Sequence, residues 1–212
     1  MTNRQVLLTF GFAFLLLFLA NVFVVKGEAV IWMNQNYSDF PNFFFKYITY
    51  LGDGIIFVPI ILIGLFIRYE MAISAAITGI LLGIIIGVLK RQAFSHLSRP
   101  RSFFKDSYEL NFVDGVDVYS HFTFPSGHTA TAAAMALLLA LYIKKPIATA
   151  VLASIAILVG ISRVYLAQHF WVDITYGFLT GMAITFLSRW LSNGWLKNRA
   201  WAQKNLKSVF SK

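Results

Sequence analysis

The chain has 212 residues, 58% of them hydrophobic and only 13% charged, and its mean hydropathy is +0.69. That composition excludes a disordered segment or a nucleic-acid-binding tail, both of which are polar and charge-rich. The formal net charge is nonetheless +9, from 18 Lys and Arg against 9 Asp and Glu.

In chain order, the apolar residues come in long runs. Val6 to Val25 holds 20 residues without a charge, about 30 Å as a helix and so the thickness of a hydrocarbon core. It is longer than the apolar core of a secretion signal and no clean small-x-small site follows, so it reads as a membrane helix. Ile31 to Phe45, with Asn34, Gln35, Asn36, Asp39 and Pro41 among its aromatics, predicts a helix lying on the outer surface. Aromatic residues from Phe40 to Tyr50 suit the headgroup level. Gly54–Ile67 (14 residues), Met71–Leu89 (19), Thr129–Ile143 (15), Pro146–Ser162 (17) and Ile174–Ser188 (15) predict five further spans, the shorter ones lengthened by uncharged flanks. The expected fold is all-α: a polytopic membrane protein with six transmembrane helices in one bundle and an interfacial helix after the first span. No linker or repeat divides residues 1–212, so one domain is expected.

Gly79, Gly83 and Gly87 recur at four-residue intervals on the third span, with Ala75 one step earlier. Such a stripe predicts close approach of another helix: a homodimer face is one reading, and contact within the chain, with the small residues Thr129 to Ala134 of the fourth span as partner, is the preferred one.

Six spans place alternate connections on opposite sides. The side with both termini receives 10 basic residues and the other 8, of which Lys90, Arg91, Arg99 and Arg163 stand in the polar clusters described next. Setting those four aside, the positive-inside rule predicts both termini in the cytoplasm of a multi-pass cell (inner) membrane protein. Glu70 is the one acid on that side, so the whole excess of +9 falls there. The chain lacks cysteine, so its outer loops are expected to be held by packing and hydrogen bonds.

Three polar clusters share the outer side by span parity: Lys90 to Arg101, Pro125-Ser126-Gly127-His128, and Ser162-Arg163 through His169 to Asp173. All four histidines (His96, His121, His128, His169) lie in this outer region. Pro125-Ser126-Gly127 before a helix is a capped helix start, whose free N–H groups and positive dipole end suit an anion such as phosphate. Arg99 and Arg163 offer planar forks for phosphate oxygens, and Lys90 a point charge. His169 and Asp173 are four apart, hence on one face if helical. A carboxylate holding one imidazole N–H leaves the other nitrogen free to attack or to accept a proton. His128 is a candidate for the opposing acid. His96 and His121 read as loop histidines. No close-spaced metal-ligand pair is present and the surroundings are cationic, so neither metal nor cofactor is expected. A Ser162/His169/Asp173 hydrolase triad is a formal alternative without a nucleophile-elbow signature.

Pro125-Ser126-Gly127-His128 and Ser162-Arg163-x5-His169-x3-Asp173 resemble the PSGH and SRxxxxxHxxxD motifs of the type 2 phosphatidic acid phosphatase superfamily, and the likeness extends from about the third span to the sixth. It implies a lipid phosphatase with its core motifs within 90–173. His169 would attack phosphorus to form a phosphohistidine, Asp173 would orient it, and His128 would protonate the leaving group. Lys90, Arg99, Ser126, Gly127 and Arg163 would hold the phosphate oxygens. The family's first motif is Lys-x6-Arg-Pro, and here Gln92 stands at that spacing before Arg99-Pro100. Either Phe94 to Ser98 carries a two-residue bulge and Lys90 keeps the role, or Arg91 takes it; Lys90 is assigned. Arg101 is a candidate contact for a second phosphate. The implied substrates are isoprenyl diphosphate, phosphatidylglycerophosphate, phosphatidic acid or lipid A phosphates on the extracytoplasmic face. A lipid-to-lipid phosphotransferase using the same site is the alternative. A transporter or channel is the reading from another class, disfavoured because the ionisable groups gather at one face and not at the midplane.

Overall fold

The computed structural model describes residues 1–196, 198–206 and 208. Lys197, Lys207 and Lys212, three of the cations counted on the cytoplasmic side, lie outside those residues. Helix α1 (Asn3–Phe23) opens on a reciprocal cap, in which Thr2 Oγ1 accepts from Gln5 N and Gln5 Oε1 accepts from Thr2 N. Its buried residues Val6, Phe10, Ala13 and Leu17 recur every three or four positions. The other face, including Leu8, Phe12, Leu19 and Val22, is exposed and equally apolar. A helix apolar all round with only one face packed matches lipid as its solvent.

The segment expected to form one surface helix forms two, α2 (Glu28–Gln35) and α3 (Asp39–Ile48). Pro41 supplies the reason: lacking an N–H, it fits a first helical turn but not a continuing ladder, so α3 starts afresh after the extended Ser38. Past α3 the chain turns through Thr49–Gly52 and Gly54–Ile56 into α4 (Phe57–Ile67). The two halves, Asp39–Gly52 and Gly54–Ile67, meet at 58°, so the expected second span is the lower limb of a bent pair. Asp53 is extended at the break and its carboxylate caps Ile55 N.

Helix α5 (Tyr69–Val88) runs on through a π-helical turn, Leu89–Ala93, closed by Phe94 N to Leu89 O at 2.9 Å. A short α6 (Pro100–Phe103) and a long loop lead to α7 (Gly127–Ile143). Lys144 in the left-handed conformation ends α7, and Pro146 opens α8 (Pro146–Tyr165), giving a tight hairpin. The long helix α9 (Trp171–Leu196) follows. By length and apolarity Asn3–Phe23, Tyr69–Ala93 and Pro146–Tyr165 can cross a membrane, and the bent pair makes a fourth candidate. At 17 residues, α7 is shorter. Ser98 and His121 form the one isolated β-bridge among the described residues.

Helix α7 is the axis of the bundle, packed by α9, α8, α5 and α1 and buried along almost its whole length. Its alanines admit close neighbours, but the neighbour is not the glycine stripe of α5. Gly177 and Gly181 of α9 supply the approach instead: a Cβ on Gly177 would stand 2.6 Å from the Ser126 carbonyl, and one on Gly181 would strike Ala130. On α5 only Gly79 meets a side chain, that of Phe57 at 3.3 Å, while Cβ atoms on Gly83 and Gly87 would meet nothing within 4 Å. The predicted helix contact is therefore absent at those two positions, where no described residue comes within 4 Å of the Cβ site.

The far end of α5 is tied by polar contacts. Ser74 bonds Ser192, and Thr78 bonds Ser188. Glu70 pairs with Arg189 at 3.1 Å and accepts from Gln203, while Arg189 also donates to Tyr142. Tyr69 N donates to Lys204 O and Leu206 N to Leu65 O, fastening the tail to the α4–α5 turn.

Candidate active site

At the opposite end, the C-termini of α5 and α8 meet the N-termini of α7 and α9. Asp173 sits in the first turn of α9, where its Oδ2 accepts from Phe170 N at 2.9 Å, half of a capping box. The same oxygen accepts from Thr123 Oγ1 and stands 3.3 Å from His169 Nδ1. Thr123 Oγ1 is also 3.3 Å from that nitrogen. With Nδ1 directed at the carboxylate, the lone pair of a neutral imidazole lies on Nε2. His169 itself precedes α9 and is held by its N–H to Arg163 O at 3.1 Å. Burial, reinforced by the charges of Arg99, Lys90 and Arg163 and by His128, holds its imidazole well below the usual histidine range. Such a shift favours the neutral ring.

Ser126 is the N-cap of α7. Its Oγ accepts from Thr129 N and from Thr129 Oγ1 at 2.8 Å, and its own N–H donates to Asp173 O at 3.0 Å. That last bond fixes the start of α7 against the start of α9, so two helix N-termini face one spot, as anion binding favours. Arg163, 6% exposed, donates Nη1 to Thr49 Oγ1 at 2.9 Å. Arg99, 8% exposed, donates Nε to His121 O and Nη1 to the backbone and side-chain oxygens of Gln168, with Tyr119 stacked 5.3 Å away. Burial pulls the Arg99 guanidinium below its ordinary value, and it remains a cation. Among the described residues the ion pairs are His169–Asp173 and Arg189–Glu70, so Arg99, Arg163 and Lys90 have no carboxylate partner. Buried cations solvated only by neutral acceptors are costly unless they serve an anion.

Of the two residues open for the first motif's lysine, Lys90 is half-buried and acts on His169, whereas Arg91 is exposed. Lys90 lies in the π-helical turn Leu89–Ala93, upstream of the bulge expected at Phe94–Ser98. Arg101 stands apart, exposed on α6 with Nη1 donating to Val118 O at 3.3 Å. His96 and His121 are exposed. Ser162 Oγ turns back to Val159 O at 2.7 Å, so the alternative triad is not assembled. Thr123, Gln168 and Thr49, absent from the sequence reading, orient Asp173, Arg99 and Arg163 respectively.

This geometry has relatives. Residues 63–197 match the family described as the PAP2 superfamily, more than half of the chain. The chain belongs to the PAP2 superfamily. Phosphatidylglycerophosphatase B of Bacillus subtilis is 39% identical over 77 residues, 32% of this chain. That match spans 38% of the relative's length. The crystal structure of Aquifex aeolicus LpxE superposes with a TM-score of 0.67 at 25% identity, covering 78% of this chain and 94% of that one. A transmembrane PAP2-type phosphatidylglycerolphosphate phosphatase from B. subtilis gives 0.62 at 25% identity, covering 93% and 99%. Membership of this superfamily and the apolar helices make the chain a multi-pass membrane protein.

Proposed function

We propose that the protein is a membrane lipid phosphatase, hydrolysing a phosphate monoester or diphosphate through a phosphohistidine. The observation that carries this reading is the convergence of Lys90, Arg99 and Arg163, none paired with a carboxylate, on the neutral His169. His169 Nε2 attacks phosphorus, the bond to the lipid oxygen breaks, and His128 gives that oxygen its proton. His128 then takes a proton from water, whose oxygen displaces Nε2 and releases inorganic phosphate. The cations and the α7 N-terminus stabilise the charge that grows on the equatorial oxygens. Asp173 holds the His169 tautomer throughout. No step calls for a metal.

The proposed setting is six spans with both termini in the cytoplasm, α2 and α3 at the outer surface and the site facing the exterior. The excess of basic residues on the inner side supports it. Because the chain lacks cysteine, single cysteines placed at Asp114 and Lys144 report sidedness directly: a membrane-impermeant maleimide should label the first in intact cells and not the second.

The named relatives make phosphatidylglycerophosphate the first substrate to try, followed by phosphatidic acid and isoprenyl diphosphate. Purified protein should release phosphate in the presence of EDTA and be inhibited by vanadate. Failure on all these lipids, or loss of activity in EDTA, contradicts the reading.

A further inference from the structure

Gln168 ties Arg99 to the segment that carries the nucleophile. It stands in the link between α8 and α9, residues 166–170, directly before His169, and it is fully buried. The link is anchored to the end of α8, because Gln168 N donates to Arg163 O at 2.9 Å. Arg99 comes from a segment 69 positions earlier, and its Nη1 donates both to Gln168 O at 3.2 Å and to Gln168 Oε1 at 3.0 Å. A guanidinium only donates, so the amide oxygen faces Arg99. The amide nitrogen turns to Leu166 O at 3.5 Å. With Nε given to His121 O, the Nη2 of Arg99 is left without a hydrogen bond among the described residues.

Resting on the phosphatase reading above, we propose that Gln168 is a positioning residue that fixes the Arg99 fork with a neutral oxygen, and that this neutrality sets the affinity of the site for phosphate. A glutamate has the same length and shape and would reach the same nitrogen. Its carboxylate would also cancel the charge, as Glu70 does for Arg189 at 3.1 Å, and its second oxygen could take a further N–H of the fork. The amide accepts the same hydrogen bond and leaves the positive charge, with Nη2, to the phosphoryl group. Because Gln168 and His169 share a peptide bond, the residue that orients this cation also registers it against the nucleophile. A buried arginine can be held firmly or neutralised, and the amide does only the first.

The test reads anion binding and turnover separately. Inorganic phosphate should raise the thermal midpoint of the detergent-solubilised wild type, because a ligand that binds only the fold stabilises it. Gln168→Glu should remove most of that rise, weaken phosphate binding by about tenfold or more, and lower kcat/KM on phosphatidic acid at least as much, the scale of one charge-assisted hydrogen bond. Its midpoint without phosphate should be unchanged or raised, since a buried cation has gained its partner. Gln168→Met keeps the length and loses the acceptor, so it should lower the midpoint and reduce kcat/KM by about two- to tenfold. Gln35→Glu, the same change at an exposed position on α2, should behave as wild type throughout. Wild-type phosphate affinity in Gln168→Glu overturns the proposal, and so does wild-type turnover in Gln168→Met. A midpoint that falls together with turnover in Gln168→Glu marks a merely structural role and overturns it as well. If the wild type hydrolyses no lipid phosphate, the phosphatase reading fails, and the phosphate-induced rise alone judges Gln168. A rise in the wild type that Gln168→Glu loses upholds its role in anion binding; no rise in the wild type overturns it.

Discussion

The two ends of the bundle use the same residue types to opposite purposes. At one end Arg189 lies beside Glu70 at 3.1 Å, shares Tyr142, and has Gln203 completing the network. At the other end Arg99 and Arg163 are more deeply buried and meet only neutral oxygens. A partly buried arginine whose charge is matched holds helices together. In the proposed function, an arginine whose charge is left over is held ready for a ligand that brings the matching charge. The difference lies in the partner, not in the residue.

The contrast is broken most severely at His169. His169→Ala should reduce turnover by about 10³-fold or more while the protein stays monodisperse; residual activity within tenfold of wild type would remove the proposed nucleophile. Next in size, Arg163→Gln should lower kcat/KM by about 10²–10³-fold. Because it removes an unmatched buried charge, it should leave the thermal midpoint unchanged or raised. A lowered midpoint would show that Arg163 is structural.

Glu70→Gln reverses that pattern. It should destabilise the protein by about 1–2 kcal/mol, dropping the midpoint by about 2–8 °C, with kcat/KM retained. Loss of turnover without loss of stability would erase the distinction between the ends. A finer effect concerns pH. His169 is held below the usual histidine value in the fold, so once pH falls below about 6.5 the unfolded chain binds a proton that the folded one refuses. Stability should then decline by at most about 1.4 kcal/mol per pH unit from this group, and the decline should be shallower in His169→Gln. An identical slope in both proteins contradicts a depressed His169. The smallest expected effect is at Arg101, whose replacement by alanine should weaken diphosphate turnover more than monophosphate turnover. An equal change removes Arg101 from substrate contact.

What could be read from the sequence was local. A histidine and an aspartate four apart at a helix start, and a serine before a glycine, carry their geometry in their spacing, and the structure places them together. Contacts between distant segments carry no such signal. Thr123 reaches Asp173 across 50 positions and Arg163 reaches Thr49 across 114, so neither partner stood out in advance. The π-helical turn that carries Lys90 is also silent, because Leu-Lys-Arg-Gln-Ala suits an ordinary helix equally well. The glycine stripe was visible but its meaning was not, since small residues permit a helix, a lipid chain or nothing to lie against them. Only the folded chain shows that a Cβ on Gly83 or Gly87 would meet nothing within 4 Å.

Trapping the covalent intermediate tests the central claim most directly. The purified protein is mixed briefly with a lipid phosphate radiolabelled at phosphorus, quenched in alkali and digested. The label should remain on the peptide containing His169, survive alkali, leave in acid, and be missing from His169→Ala. A label that alkali removes, that maps to Ser126, Ser162 or Asp173, or that persists in the alanine variant would contradict a phosphohistidine at His169.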